Sequence, residues 1–228
     1  MVLNAILKKI IKTGTALSTS GTTGTPKRIF QPPHKLAAAN SVARQVQAIT
    51  ANSRVLTVCT LKHAGGLLAQ TLPAVEVGAD VVLDEFNAYR WTRQITDYTH
   101  SHLTPNMARA VMKTRGFTTL NLSGITVMCG SDKVHSSIIR SFIDRGATFI
   151  TNWGMTEVGP VAINQTFNPG DTVNTTETIM GNCVHCDVKI EDNQLFVRGD
   201  ICVYDDWFAT GDLVTYNNGV YYYLGRIQ

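Results

Sequence analysis

Ser18-Thr-Ser-Gly-Thr-Thr-Gly-Thr-Pro-Lys27 is the stretch on which the reading of this chain turns. Hydroxyl side chains, two glycines and a closing lysine are what a polyphosphate requires of a loop. Gly21 and Gly24 can take positive φ, which turns successive backbone N–H groups toward an anion. The hydroxyls of Ser20, Thr22 and Thr23 add neutral donors, and Lys27 supplies a point charge. No Gly-Lys-Ser/Thr follows at the spacing of a Walker A loop, so that reading fails. A Ser/Thr/Gly-rich run is more often a solvated linker. Here Pro26-Lys27 closes the run and an apolar segment of helical period follows at once, which favours a phosphate cradle.

Outward from the loop, residues 33–153 alternate helix and strand signals. Leu36, Ala39, Val42, Ala43, Val46 and Ile49 fall on one helical face behind Pro33. Arg54–Thr60 reads as a buried strand, about 66–77 as a helix and Asp80–Leu83 as a strand. Tyr89–Thr99 reads as a helix, His102–Thr104 as a strand, Asn106–Lys113 as a helix and Gly124–Cys129 as a strand. Val134, Ile138, Ile139, Phe142 and Ile143 give a helical stripe, and Ala147–Asn152 a last strand. Repeated β-α units predict an α/β fold with a mostly parallel sheet flanked by helices. Residues 160–178 read as polar and loop-like. From Ile179 short alternating strands are separated by the hairpin signals Asp192-Asn193 and Asn217-Asn218-Gly219. The expected division is an α/β nucleotide-binding core over 1–159 and a β-rich subdomain over 160–228.

Composition limits the function classes. With 228 residues and 44% hydrophobic content the chain can bury its own core. Its net charge is +3 and its cations are scattered apart from Lys8, Lys9 and Lys12, which argues against a nucleic-acid groove. No apolar run approaches the roughly 20 residues of a membrane helix. Leu3, Ile6, Leu7, Ile10 and Ile11 give the start an amphipathic helical pattern rather than that of a signal peptide. Five cysteines with apolar neighbours fit buried thiols in a reducing, cytoplasmic setting. Cys183-Val-His-Cys186 has the spacing of half a zinc site, which would need two further ligands.

Four motifs in order carry a family resemblance. Leu17–Lys27 resembles the phosphate-loop signature of the adenylate-forming superfamily, which holds acyl- and aryl-CoA synthetases, peptide-synthetase adenylation domains and luciferase. Asn152-Trp153-Gly154-Met155-Thr156-Glu157 resembles its aromatic-Gly-x-Thr-Glu motif. Trp207–Leu213 resembles its Thr-Gly-Asp motif, and Tyr223-Leu224-Gly225-Arg226 the Gly-Arg at the end of its large domain. The compact tail and His63-Ala-Gly-Gly look most like the small CoA ligases for aromatic acids, such as o-succinylbenzoate–CoA ligase.

The resemblance implies that a carboxylic acid attacks the α-phosphorus of Mg·ATP to give an acyl-adenylate, with coenzyme A as a thiol acceptor. It implies that Thr19, Ser20, Gly21, Thr22, Thr23, Gly24 and Lys27 hold the β- and γ-phosphates. Thr156 would bond the α-phosphate and Glu157 would hold Mg²⁺, a hard cation suited to carboxylate oxygen. Trp153 would stack on adenine beside Asn152 and Gly154, with the backbone of Gly130-Ser131 as the opposite wall. Asp212 would accept both ribose hydroxyls and Arg226 would approach the ribose or phosphates. His63, Gly154 and Met155 would line the acyl pocket. Taken singly, His63 reads better as a core histidine, and Trp153 is balanced between packing and binding.

The tail resembles the family's small β-barrel subdomain. The resemblance implies a mobile C-terminal domain carrying a transition-state lysine, and that domain is expected to be absent here, the residues after Arg226 offering no such lysine. Two functional expectations follow: an acyl- or aryl-CoA-ligase-like enzyme, working alone or with a separate C-terminal-domain polypeptide, or a nucleotide or acyl-adenylate binding module without turnover.

Overall fold

The computed structural model describes residues 2–19, 27–173 and 178–227. It opens with helix α1 (Val2–Thr13) and the antiparallel hairpin β1 (Thr15–Ser18) and β2 (Arg28–Gln31). Helix α2 (Pro33–Gln47) follows, with Pro33 in its first turn, where a missing N–H costs nothing. Next come strand β3 (Arg54–Thr57), helix α3 (Ala64–Gly66), helix α4 (Leu72–Glu76) and strand β4 (Asp80–Leu83). Helix α5 (Ala88–Gln94), strand β5 (His100–Leu103), helix α6 (Pro105–Met112), strand β6 (Thr126–Gly130) and helix α7 (Ser136–Ile143) continue the alternation. Strands β7 (Thr148–Met155) and β8 (Gly159–Phe167) form the last long pair before the tail. The tail holds β9 (Thr178–Gly181), β10 (Cys183–Val184), β11 (Asp187–Glu191), β12 (Gln194–Arg198), β13 (Phe208–Asn217) and β14 (Val220–Arg226).

Seven strands form the central sheet in the order β10-β8-β7-β6-β5-β3-β4. The run from β4 to β7 is parallel, while β8 and β10 join antiparallel. This is the α/β architecture expected from the alternation. On one face Trp91, Phe117, Phe142 and Phe149 build an aromatic core, with ring centroids 5.1–6.2 Å apart from neighbour to neighbour. The Trp91 indole N–H donates to Ser101 Oγ at 3.1 Å and Ser101 donates to the Leu56 carbonyl at 2.9 Å, so the one polar corner of that ring is satisfied.

Residues 160–167, read above as loop-like, are the buried strand β8. Asn164 makes the run look polar, yet it is 3% exposed and its Oδ1 lies 2.7 Å from His185 Nε2, a partner that arrives 21 residues later. The central sheet therefore continues past residue 159. The tail strands make a five-stranded antiparallel sheet, β11-β12-β13-β14-β9. Asp192 and Asn193 (φ 49° and 63°), like Asn218 and Gly219 (φ 50° and 82°), take the paired positive φ of a tight hairpin turn.

The helix over 64–76 is broken by one wide turn at Leu67–Thr71, where the Leu72 N–H reaches back five residues to the Leu67 carbonyl. Pro73 explains the irregularity. It brings no N–H to the carbonyl of Ala69, four residues earlier, and its ring crowds that oxygen. Gln47 of α2 fills the vacancy, its Nε2 donating to Ala69 O at 2.7 Å and Ala43 O at 2.9 Å. Among the described residues no helix is long and apolar enough to cross a membrane.

Candidate active site at the carboxyl edge of the sheet

A cavity of about 490 Å³ opens at the carboxyl ends of β3, β5, β6 and β7. The strand order reverses between β3 and β5, since the chain runs outward to β4 and then returns to the other side of β3. A crevice at such a reversal is where open parallel sheets hold ligands. Cys59 and Thr60 reach it from behind β3, His102 and Thr104 from the end of β5, and Ser131 from behind β6.

The β1–β2 hairpin closes one side. Thr19 N–H donates to Lys27 O at 2.9 Å and Lys27 N–H to Thr19 Oγ1 at 3.2 Å, so these two residues, eight apart, meet at the cavity. Ser20, Gly21, Thr22, Thr23 and Gly24 lie outside the described residues. The hairpin is fixed to the turn after β7, because Gln31 Nε2 donates to the carbonyl of Thr156. Glu157 is held from the far side, its carbonyl accepting the Val203 N–H at 2.8 Å.

The structure brings Thr19, Lys27, His63, Ser131, Asn152, Gly154, Met155, Thr156, Glu157 and Arg226 to this one cavity. Two close backbone approaches shape its floor. A β-carbon at Gly130 would collide with the Asn152 side chain, and one at Gly154 with the Gly159 carbonyl. Asn152 donates through Nδ2 to the Pro160 carbonyl at 2.8 Å, which leaves Oδ1 buried and unpartnered among the described residues.

Trp153 and Asp212 stand behind the wall. The Trp153 indole N–H donates to Asp212 Oδ2 at 2.9 Å, and the indole packs on the core between the two sheets. Asp212 is 6% exposed; its Oδ1 lies 3.7 Å from Arg226 Nε and makes no hydrogen bond among the described residues. Burial pushes its pKa up, and the Trp153 hydrogen bond and the Arg226 charge pull it back. Arg226 pairs with Asp212 in the β13–β14 register, so the sheet sets the ion pair.

Sequence reasoning missed Cys59, Gly65, Gly66, His102, Thr104 and Met107 of the cavity wall. Gly66 allows the chain to fold back onto the Thr60 carbonyl, where no β-carbon fits. The Cys59 thiol donates to the His102 carbonyl at 3.2 Å, and burial pushes it up to about 12, so it is an inert thiol rather than a nucleophile. Thr104 caps α6, its Oγ1 accepting the Met107 N–H at 3.3 Å. The one sequence signal for His102 was a pair of histidines two apart in a strand, which puts both on one face.

The chemistry of these groups fits a nucleotide. Asn152 Oδ1 on the cavity wall and Asp212 Oδ1 behind it are buried acceptors without a donor among the described residues, while ribose hydroxyls and an exocyclic amine are donors. Lys27 and Arg226 supply positive charge at the mouth, and Glu157 supplies a hard oxygen suited to Mg²⁺, which keeps several waters and binds few protein carboxylates.

Known proteins bear this out at the level of family. The chain is 29% identical over 226 residues to the indoleacetate–CoA ligase of Aromatoleum aromaticum, an alignment covering 86% of this chain and 44% of that protein. It is 28% identical over 149 residues to a feruloyl-CoA synthase of Amycolatopsis, covering 62% of this chain and 30% of that protein. The chain thus spans less than half the length of these curated relatives. In fold it is similar to the o-succinylbenzoate coenzyme A synthetase of Bacillus subtilis in complex with AMP, with a TM-score of 0.77, 23% identity and 93% and 49% of the two chains covered. ATP-bound MatB from Rhodopseudomonas palustris gives a TM-score of 0.77 at 17% identity, covering 92% and 47%. Residues 16–211 match the family described as AMP-binding enzyme, and the chain belongs to that family.

Proposed function

We propose that this chain binds Mg·ATP and an aromatic carboxylic acid in the cleft at the sheet's carboxyl edge and joins them as an acyl-adenylate. The observation that carries the reading is the convergence of Thr19, Lys27, Thr156, Glu157 and Arg226, brought from three distant segments, on one cavity. The acid carboxylate attacks the α-phosphorus, the bond to the β-phosphate oxygen breaks, and pyrophosphate leaves. Charge builds on the departing phosphates, so preorganised positive charge and N–H donors are what the step needs. In this reading Lys27 and the loop ahead of it neutralise the leaving pyrophosphate. Thr156 bonds the α-phosphate and Glu157 holds Mg²⁺. Asp212, fixed by Trp153, receives the ribose hydroxyls beside Arg226.

Asn152, Gly154 and the Gly130–Ser131 backbone then border the base, and His63, Gly154 and Met155 border the acid. Trp153 acts here through Asp212, with its ring edge rather than as an adenine platform. The aromatic class of acid is supported by the relatives named for indoleacetate and ferulate, and their CoA-ligase names support coenzyme A as the second acceptor. A separate polypeptide supplying a C-terminal domain belongs to the same reading.

The test is ATP–pyrophosphate exchange by the purified chain with a panel of aromatic acids, alongside ATP binding by Lys27→Ala. Exchange dependent on one acid, and ATP affinity reduced about tenfold or more by losing the charge-assisted contact, are the expected results. Unchanged ATP affinity in Lys27→Ala would sink the assignment. ATP binding without exchange would leave a nucleotide-binding module.

A further inference from the structure

His102 stands at the strand reversal between β3 and β5, lines the cavity and is 2% exposed. Its Nδ1 lies 2.9 Å from the Gly65 carbonyl oxygen. A carbonyl can only accept, so Nδ1 carries the hydrogen, and in the neutral ring Nε2 is left as a bare lone pair. Nε2 is closed to water and has no partner among the described residues. The ring stays neutral at physiological pH, because burial holds its pKa down at about 4 against the smaller opposing pull of the Gly65 carbonyl. A buried acceptor without a donor is a standing penalty, and it is removed when a ligand brings the donor.

The surroundings narrow what that ligand group can be. The Cys59 thiol already donates to the His102 carbonyl, and Thr104 Oγ1, which accepts the Met107 N–H as a helix cap, makes no hydrogen bond to Nε2. Ala64, Gly65, Gly66 and Met107 give this corner of the cavity an apolar body. Met107 and Met155 are unbranched side chains that re-pack around a ligand. An ionised carboxylate has no hydrogen to give, so the reacting end of the acid does not satisfy Nε2. The donor must sit elsewhere on the acid.

We propose that His102 is a specificity-determining residue of this cleft, and that the preferred substrates are carboxylic acids carrying an O–H or N–H donor away from the carboxylate, which reaches His102 Nε2 as the Met107 and Met155 side chains of the cavity wall shift to admit it. The proposal rests on the acid-activating reading above and names the acid more closely. A site built around a buried acceptor rejects the analogue that lacks the donor far more strongly than an apolar pocket rejects one missing methylene.

The test uses acids of matched size in which the donor is replaced by a group that cannot donate: 4-hydroxyphenylacetate against 4-fluorophenylacetate, and indole-3-acetate against benzothiophene-3-acetate. Each is titrated by calorimetry into the full chain with AMP present, and ATP affinity is measured on the same sample. The donor member of at least one pair is expected to bind about 10- to 100-fold more tightly. His102→Leu is expected to bring that ratio close to one, with ATP affinity reporting that the variant is folded. Imidazole nitrogen NMR on the unaltered chain provides a reading free of any substitution. The hydrogen is expected on Nδ1 of His102, and the Nε2 resonance is expected to move when the donor acid binds. Equal affinities within both pairs, no binding of either member, or a hydrogen on Nε2, with ATP still bound, would overturn the His102 assignment and leave the nucleotide reading standing. Failure of the unaltered chain to bind ATP would overturn both.

Discussion

The indole N–H of Trp153 and the carboxylate of Asp212, 59 residues apart, meet at 2.9 Å and join the central sheet to the tail sheet. Trp153 is on β7 and Asp212 on β13, so one hydrogen bond orients the proposed ribose acceptor and links the two sheets. Burial raises the Asp212 pKa above its unfolded value. Its ionised form is therefore disfavoured by folding: the associated stability is full below the ordinary carboxylate range and is lost as pH rises through the folded pKa. Asp212→Asn keeps an acceptor for Trp153 and removes the buried charge. The variant is expected to be no less stable than the parent at pH 7 by urea denaturation, with any advantage shrinking as pH falls. Its ATP affinity is expected to drop about tenfold or more, since a charged acceptor is replaced by a neutral one. Clear destabilisation at pH 7 with unaltered ATP binding would contradict both halves.

Two glycines near the cleft separate space from sequence habit. A methyl at Gly66 would press into the carbonyl of Thr60, which is backbone and cannot swing aside. Gly66→Ala is expected to cost about 3 kcal/mol, read as a fall in the urea midpoint at constant slope. Gly225 has open space around its would-be β-carbon and no positive φ. Gly225→Ala should lie within about 0.5 kcal/mol of the parent. Similar losses at both would mean that glycine content, rather than this close approach, governs stability here.

The helices and parallel strands were legible because their periods differ and turn residues separate them. The stripe Ile138, Ile139, Phe142 and Ile143 faces the aromatic core, and the Asp192-Asn193 and Asn218-Gly219 hairpins stand where their turn chemistry put them. Strand β8 was hidden because Asn164, Gln165 and Thr166 read as solvated, whereas Asn164 is satisfied by a distant histidine. Most named site residues converge on the cavity because their motifs sit at strand ends. His102 stayed hidden for a different reason: its role depends on the carbonyl of Gly65, 37 residues away, which no local pattern encodes.

The break in the helix over 64–76 predicts a compensating pair. Gln47 donates to the Ala69 carbonyl that Pro73 leaves without an N–H, and it accepts from Gln70 Nε2 at 2.9 Å. Gln47→Leu leaves the Ala69 carbonyl and the Gln70 amide short of partners, while Ala43 keeps the backbone N–H of residue 47, at about 2–3 kcal/mol. Pro73→Ala restores an N–H four residues after Ala69, so in the double variant part of that loss is expected to return. A double-mutant cycle by denaturation measures the coupling, which should be about 0.5 kcal/mol or more. Strict additivity would show that the proline does not set the irregular turn.

Acid sensitivity follows from two buried histidines. Burial lowers the pKa of both His100 and His102, the latter to about 4, each opposed by a backbone hydrogen bond. In the unfolded chain both titrate near 6.5. Between those values the unfolded state binds more protons than the native one, so stability rises with pH across the window and is lost as pH falls from 6.5 toward 4. For His102 alone the full loss amounts to about 3 kcal/mol. Denaturant midpoints at pH 7, 6, 5 and 4.5 should decline steadily, and His102→Leu should decline less over the same range. The His100 ring also donates to the Gln47 carbonyl through Nε2 at 2.9 Å, a bond that favours the charged ring and offsets part of its loss. A midpoint flat from pH 7 to 5 would mean that both rings take up protons in the native state as readily as in the unfolded one, contrary to their burial.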